Sequence, residues 1–212
     1  MTARIPVRPN REGRYFVDRH QALPVGGYTG WFERVLGHQA ITVCLGCDFL
    51  HDDGVRAACR ANASRLIYTG PIDRYFAGTA EAAGLGALEY RSIRFELQAV
   101  PACPGHAQPN TVVNQPGGGV RHTRTVEYKH FLGQQSSWSV LVREYPSDEG
   151  PAFYPVPSPR NQELYMAFRR LAEHETAEHG VHFVGRLANY KYYNMDEALA
   201  ASLRLFGELG VQ

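Results

Sequence analysis

The feature that most constrains this chain is the patterning of its middle. Residues 88–100 alternate apolar with polar side chains, with Tyr90, Ser92, Ile93, Phe95 and Leu97 carrying the pattern, and residues 125–131 and 137–145 do much the same. A period of two places successive side chains on opposite faces of a strand. Glycine and proline punctuate the intervening stretches 101–108 and 116–119, and no helical period lies between the strands. Long strands without helical crossovers pair antiparallel, and their alternation implies one solvated face.

The flanks read differently. Residues 28–37 have helical spacing after Gly26 and Gly27, 41–45 form a short β-branched strand, and 52–62 hold a short helix. Residues 65–69 are an apolar strand stopped by Gly70 and Pro71. Beyond the middle, 161–179 is a helix with Leu164, Phe168, Leu171 and Glu175 on one face. Residues 181–184 are a buried strand ending at Gly185 and Arg186. Residues 195–209 are a helix with Met195, Ala198, Leu199, Ser202, Leu205 and Leu209 on one stripe. The expected fold is mixed α/β (α+β): a partial doubly wound layer built from 1–84 and 158–212, interrupted by an antiparallel β-sheet domain over 85–157. The face around Glu173, His174, Glu175 and Glu178 reads as solvated.

Composition excludes several classes. Lys and Arg number 22 against 21 Asp and Glu, so no bulk charge favours nucleic acid or a membrane surface. No apolar run reaches the roughly 18 residues that span a bilayer. The polar, basic first residues lack the apolar core of a secretory signal, so a cytoplasmic protein is expected. Cys44 and Cys47 form C-x-x-C without a second pair, inside a stretch that reads as a strand, where residues three apart face opposite ways. They read as buried reduced thiols rather than as metal ligands. His20, His122 and His130 could serve as bases, but no G-x-S-x-G elbow supplies a nucleophile.

Four arginines sit beside aromatic residues and glycines: Arg8, Arg74, Arg124 and Arg186. A guanidinium is a fixed fork of donors that fits phosphate oxygens and stays charged. Arg186 directly follows the strand HFVG, and arginines at strand ends of α/β sheets line ligand crevices.

Several longer segments carry a resemblance. They are IPVR at 5–8, QALPVGGYT at 21–29, YTGPIDRYF at 68–76, YRSIRF at 90–95, HTRTVEYKHF at 122–131, FYPV at 153–156 and GRLANYKYYNMD at 185–196. Together, in order and over nearly the whole chain, these resemble the C-terminal half of bacterial UDP-galactopyranose mutases. The resemblance implies an isomerase that interconverts UDP-galactopyranose and UDP-galactofuranose with a reduced flavin (FAD), so the implied partner molecule is a nucleotide-diphosphate sugar. By motif, Arg8 and Arg124 match two arginines that clamp the diphosphate, and Tyr154 and Tyr192 match tyrosines that hydrogen-bond the phosphates. Arg186, Tyr192 and Met195, with Gly185, match the segment wrapping the flavin, and Thr69 and Gly70 match another flavin-contacting turn.

The sequence departs from the family at telling places. Asn194 stands where the family has an acidic residue near the flavin and substrate, His20 where it has an aromatic residue, and His122 where it has a tyrosine. No G-x-G-x-x-G follows a strand, so the resemblance places the flavin pyrophosphate site outside this sequence. The layered sheet is expected to lack its central first strand, exposing two rows of unpaired backbone groups. Three readings follow. In the first, a second polypeptide or a homo-oligomer completes a flavin-dependent mutase. In the second, a flavin-free relative binds or modifies a nucleotide sugar. In the third, the chain is a non-catalytic truncated relative.

Overall fold

The structure is a computed structural model in which residues 18–102 and 105–210 are described. Arg8 and Cys103 lie outside the described residues. The chain divides into a unit over residues 1–43 and a larger unit over 44–212.

The smaller unit contains helix α1 (Gly27–Leu36), matching the expected helix within a residue. Its aromatic residues touch along the helix, with Trp31 and Phe32 ring centroids 4.7 Å apart, and none of its residues is buried. His20 is an exposed residue of this unit.

The larger unit starts with a correction. No strand forms over residues 41–45, and Cys44 and Cys47 are exposed rather than buried. A β-branched run becomes a strand only when another strand takes up its backbone groups, and no described strand pairs with this one. Helix α2 (Asp53–Asn62) follows, with the Asp52 carboxylate accepting from the Val55 N–H at 3.0 Å as N-cap. Strand β1 (Leu66–Tyr68) leads through Thr69 and Gly70 into the short helix α3 (Ile72–Tyr75).

The middle forms a five-stranded antiparallel sheet of β2 (Tyr90–Pro101), β3 (Val112–Asn114), β4 (Arg124–Glu127), β5 (Trp138–Ser147) and β6 (Tyr154–Pro155). Its spatial order is β3-β4-β5-β2-β6. One expected strand is shorter than its pattern: β4 stops at Glu127, and residues 128–130 turn into a single 3₁₀ turn. The Glu127 side chain accounts for the stop. This fully buried carboxylate accepts from the backbone N–H groups of Ala107 and Gln108, at 3.0 and 2.9 Å, and from the Ser139 hydroxyl. Lys129, also buried, donates to the carbonyls of Gly105 at 2.6 Å and Ser136 at 2.5 Å. The rings of His106 and His130 stack at 3.7 Å. The turn thus trades ladder bonds for a polar knot that holds the 105–111 loop against the sheet.

Register divides the sheet into two faces. Glu96 bonds Arg143 at 2.8 Å on one, with Gln98 and Tyr145 beside them, and this is the expected solvated face. The other carries Phe95, Leu97, Trp138, Val140 and Val142 in cross-strand register, with Arg124 opposite Glu144. It is apolar, yet Phe95, Leu97, Trp138 and Val140 are exposed.

Helix α4 (Pro159–His179), strand β7 (Val181–Phe183) and helix α5 (Met195–Glu208) complete the unit. Ser158 caps α4, and Gly180 ends it in the left-handed conformation at φ +65°, which admits glycine without strain. Phe168 and Ala172 of α4 pack with Ile72, Phe76, Leu88 and Tyr190 in the core. Glu175 is not solvated as expected. It accepts from the Tyr75 hydroxyl at 2.7 Å and from Arg60 at 3.2 Å. The buried stripe of α5 is also rotated from its expected place: Ala201 is buried, whereas Met195 and Leu199 are exposed along with Leu203 and Phe206.

Strands β1 and β7 pair in parallel, Leu66 with Val181 and Tyr68 with Phe183. No described strand lies beyond either one, so the layer is a two-stranded parallel pair. The expected gap of two open rows does not fall between them, because they bond each other directly.

The Glu127 knot gives a pH signature. Burial opposes ionisation, but the Ser139 hydroxyl, the two backbone N–H groups and the nearby His130 outweigh it and hold the carboxyl at about 2. A folded-state value below the ordinary 4.5 means the knot's contribution is present above that pH and lost as pH falls towards 2. Urea unfolding between about pH 5 and pH 2 is expected to show this loss. Glu127→Gln is expected to be less stable at pH 7 and to lose less stability over the same window. An unchanged slope in that variant would refute the assignment.

Candidate functional site

The candidate site lies where the parallel pair ends. Because β1 and β7 run in the same direction and in register, Thr69-Gly70 and Gly185-Arg186 emerge together at their carboxyl ends, with the Val184 N–H donating to Tyr68 O at 3.2 Å. Ligands of open α/β sheets sit beyond such ends. Gly185 has φ +111°, and a Cβ there would come within 3.8 Å of Thr69. A Cβ on Gly70 would lie 2.5 Å from the Tyr68 hydroxyl. That hydroxyl donates to Pro71 O at 3.2 Å, and burial, with Asp73 nearby, pushes its pKa up to about 12, so it stays protonated. Asn189 fastens the second turn: its side-chain oxygen accepts from the Gly185 N–H at 3.0 Å and its amide donates to Phe183 O at 3.3 Å.

Arg186 gathers three segments. Its Nε donates to Tyr193 O at 2.9 Å, its Nη2 donates to the same carbonyl, and its Nη1 donates to Phe153 O at 3.2 Å. The guanidinium carbon lies 5.1 Å from the Tyr154 ring centroid and 4.7 Å from that of Tyr192, and the two rings stack 5.7 Å apart at 13°. Arg186, Tyr154 and Tyr192, expected from separate motifs, therefore form one cluster. Its guanidinium is spent on backbone carbonyls and ring faces, so it organises the cluster rather than offering a free fork.

Arg124 stands on the apolar sheet face. Its Nε lies 3.2 Å from the Glu144 carboxylate, which leaves the Nη groups uncommitted among the described residues. In register across the sheet, Arg124 pairs with Glu144, and Glu144 with Phe95, whose ring is 6.3 Å from that of Phe153. At about 4.8 Å per strand, Arg124 stands roughly 10 Å across the sheet from the Phe95 position. Arg124 thus shares a face with the residue that contacts the Phe153–Tyr154 segment.

Asn194 is the N-cap of α5, in a capping box with Glu197 whose carboxylate accepts the Asn194 N–H at 2.8 Å. Met195 is the first helical residue, 58% exposed. Sequence reasoning missed three residues here: Glu144, Asn189 and Tyr190. The Tyr190 hydroxyl bonds Glu89 O at 2.5 Å and Val156 O at 3.2 Å, while its backbone takes φ +44°. Repeated tyrosines within YKYY were the available signal, but sequence does not say which ring turns inward.

The largest cleft, about 570 Å³, lies elsewhere. It is bounded by α4, β7 and α5 through residues such as Tyr165, Thr176, Phe183, Ala201 and Leu205, and holds none of the expected site residues. Among the described residues, no cluster of three or more His, Cys, Asp or Glu is suited to a metal ion.

Comparison with known proteins decides what this arrangement belongs to. The profile of the UDP-galactopyranose mutase family matches residues 1–192, nearly the entire chain. The chain belongs to that family. It is 31% identical over 209 residues to a probable UDP-galactopyranose mutase of Klebsiella pneumoniae, covering 97% of this chain and 50% of that protein. It is 32% identical over 196 residues to a UDP-galactopyranose mutase of Mycoplasma pneumoniae, covering 86% and 46%. A dTDP-fucopyranose mutase of Escherichia coli is 27% identical over 204 residues, covering 94% and 52%. The chain therefore spans about half the length of the curated mutases it matches.

The capping role of Asn194 is open to measurement. Asn194→Ala is expected to lower stability by about 1 kcal/mol, whereas Asn194→Asp, an equivalent cap, leaves it unchanged or slightly raised. Urea denaturation of the two variants checks this; equal loss in both would contradict it.

Proposed function

We propose that this chain is the nucleotide-sugar-binding part of a pyranose/furanose mutase, with UDP-galactose the substrate class its motifs favour. The observation that carries this reading is the convergence of Tyr154, Tyr192 and Arg186 beside the paired turns Thr69-Gly70 and Gly185. Two motifs far apart in sequence meet at the carboxyl end of a parallel pair, where such ligands bind.

The residues present fit a flavin at this edge. Gly70 and Gly185 leave the turn backbones free of side chains, and Tyr192 and Met195 present exposed apolar surface beside them. Thr69, Gly70, Gly185, Arg186, Tyr192 and Met195 would hold it. A reduced flavin, when bound, supplies the nucleophile for the anomeric carbon.

The chain's own residues would do the remaining work. Arg124 would present its Nη groups to the diphosphate, with Glu144 fixing the guanidinium through Nε, and Arg8 would supply the second guanidinium of the clamp. Charge builds on the diphosphate as it leaves the sugar, so a bidentate donor favours the departing state. Tyr154 and Tyr192, held parallel by Arg186, would direct their hydroxyls to the phosphates. The open apolar face bearing Phe95 and Leu97 offers the sugar nucleotide a water-poor floor. His20 remains a candidate from the family motif.

A second reading is a flavin-free nucleotide-sugar protein. Asn194 favours it, since an amide caps α5 where the family carries an acid. The visible spectrum of the purified chain separates the two: flavin absorption supports the first reading and a colourless protein the second.

Calorimetric titration with UDP tests what both share. Measurable binding is expected, and Arg124→Lys, which keeps a charge for Glu144 but loses the fork, is expected to weaken it roughly tenfold. Absence of binding to UDP and to UDP-galactose would defeat both readings.

A further inference from the structure

The backbone of the parallel pair treats its two outer edges differently. Leu66 N–H donates to Gly180 O at 3.1 Å and Val184 N–H donates to Tyr68 O at 3.2 Å, so Leu66 and Tyr68 face β7. By the alternation of a strand, Ile67 turns its N–H and C=O the other way. No described group bonds them, and Ile67 is 51% exposed. On β7 the outward carbonyls belong to Val181 and Phe183, and both are taken: the Thr176 hydroxyl donates to Val181 O at 2.5 Å and the Asn189 amide donates to Phe183 O at 3.3 Å. One edge of the pair is closed by its own side chains, and the other is open.

We infer that the open edge of β1 is a docking edge for a parallel strand contributed by a second polypeptide, one whose strand runs into a glycine-rich turn. The inference rests on the mutase reading above. Three observations select this occupant. A two-stranded parallel sheet with an open row of backbone groups is a template for strand addition. The direction follows from the site: only a parallel strand brings its following turn to the end that carries Thr69-Gly70 and Gly185-Arg186. The kind of partner follows from coverage, because the curated mutases that this chain matches are about twice its length and the chain carries no G-x-G-x-x-G. A second copy meeting this edge about a two-fold axis would pair antiparallel and send its turns away from the site.

The test co-expresses this 212-residue chain with the portion of the Klebsiella pneumoniae relative that the alignment leaves uncovered. A complex is expected, with hydrogen exchange at the Ile67 amide slowed at least tenfold relative to the chain alone. The Tyr68 amide, already facing β7, is the internal reference. Ile67→Pro removes an N–H that bonds nothing in the chain, so circular dichroism is expected to stay native while the complex is lost. Ile67→Val, which keeps the N–H, is expected to retain it. Failure to form a complex, a complex indifferent to Ile67→Pro, or Ile67 protection in a homodimer of the chain alone would each overturn the inference. The UDP titration of the chain alone scores the mutase reading separately, so either can fail while the other stands.

Discussion

The site depends on one buried hydroxyl. Tyr190 OH bonds carbonyls at Glu89 and Val156 and also accepts from the Val156 N–H at 3.2 Å, joining the segments just before β2 and just after β6 to the loop that follows β7. Tyr154 comes from the first structure and Tyr192 from the second, so their stacking requires this joint. The joint carries a cost, since a non-glycine residue at positive φ is strained by about 1–3 kcal/mol. Burial of the ring against Phe168 and Leu88, with Tyr90 edge-on at 5.3 Å, offsets it. Burial, opposed only in part by its backbone bonds, raises the pKa of Tyr190 above that of an exposed phenol and so keeps its proton in place.

Arg186 extends the same joint outward. A guanidinium can reach several acceptors from one plane, and here it takes a carbonyl from each side of the junction and two ring faces. Its neighbour Arg124 is used in the opposite way: one nitrogen is anchored to Glu144 and the rest is left available. Two arginines that look alike in sequence thus differ in what remains to bind with. That difference follows from how many acceptors each backbone position places within reach.

Local periodicity made much of the fold legible. Helices α1, α2, α4 and α5 begin within two residues of their expected starts because glycine, aspartate, serine and asparagine mark them. The strand expected at 41–45 failed because pairing is not local: Ile41 and Val43 have the right side chains and no strand to bond. The shortened β4 failed for a related reason. Glu127 reads as a charge on a solvated face, yet three donors from other segments bury it. Tyr154, Tyr192 and Arg186 were recoverable from motifs, whereas Asn189, Tyr190 and Glu144 act through partners that sequence spacing does not reveal.

The pairing of Leu66 with Val181 also sets an order of events in folding. Strands β2, β5 and β4 close over shorter loops and can assemble from residues already made, while β1 must wait for almost the whole chain before β7 exists. Contacts of such separation are paid for in loop entropy before they return any bond, and they slow folding. During that interval β1 has both edges open and Tyr68, Ile72 and Phe76 lack their cover from α4. Nascent chains of this protein thus pass through a stage with an apolar strand on show, and the five-stranded sheet is the part that holds a native shape while the parallel pair is still being synthesised.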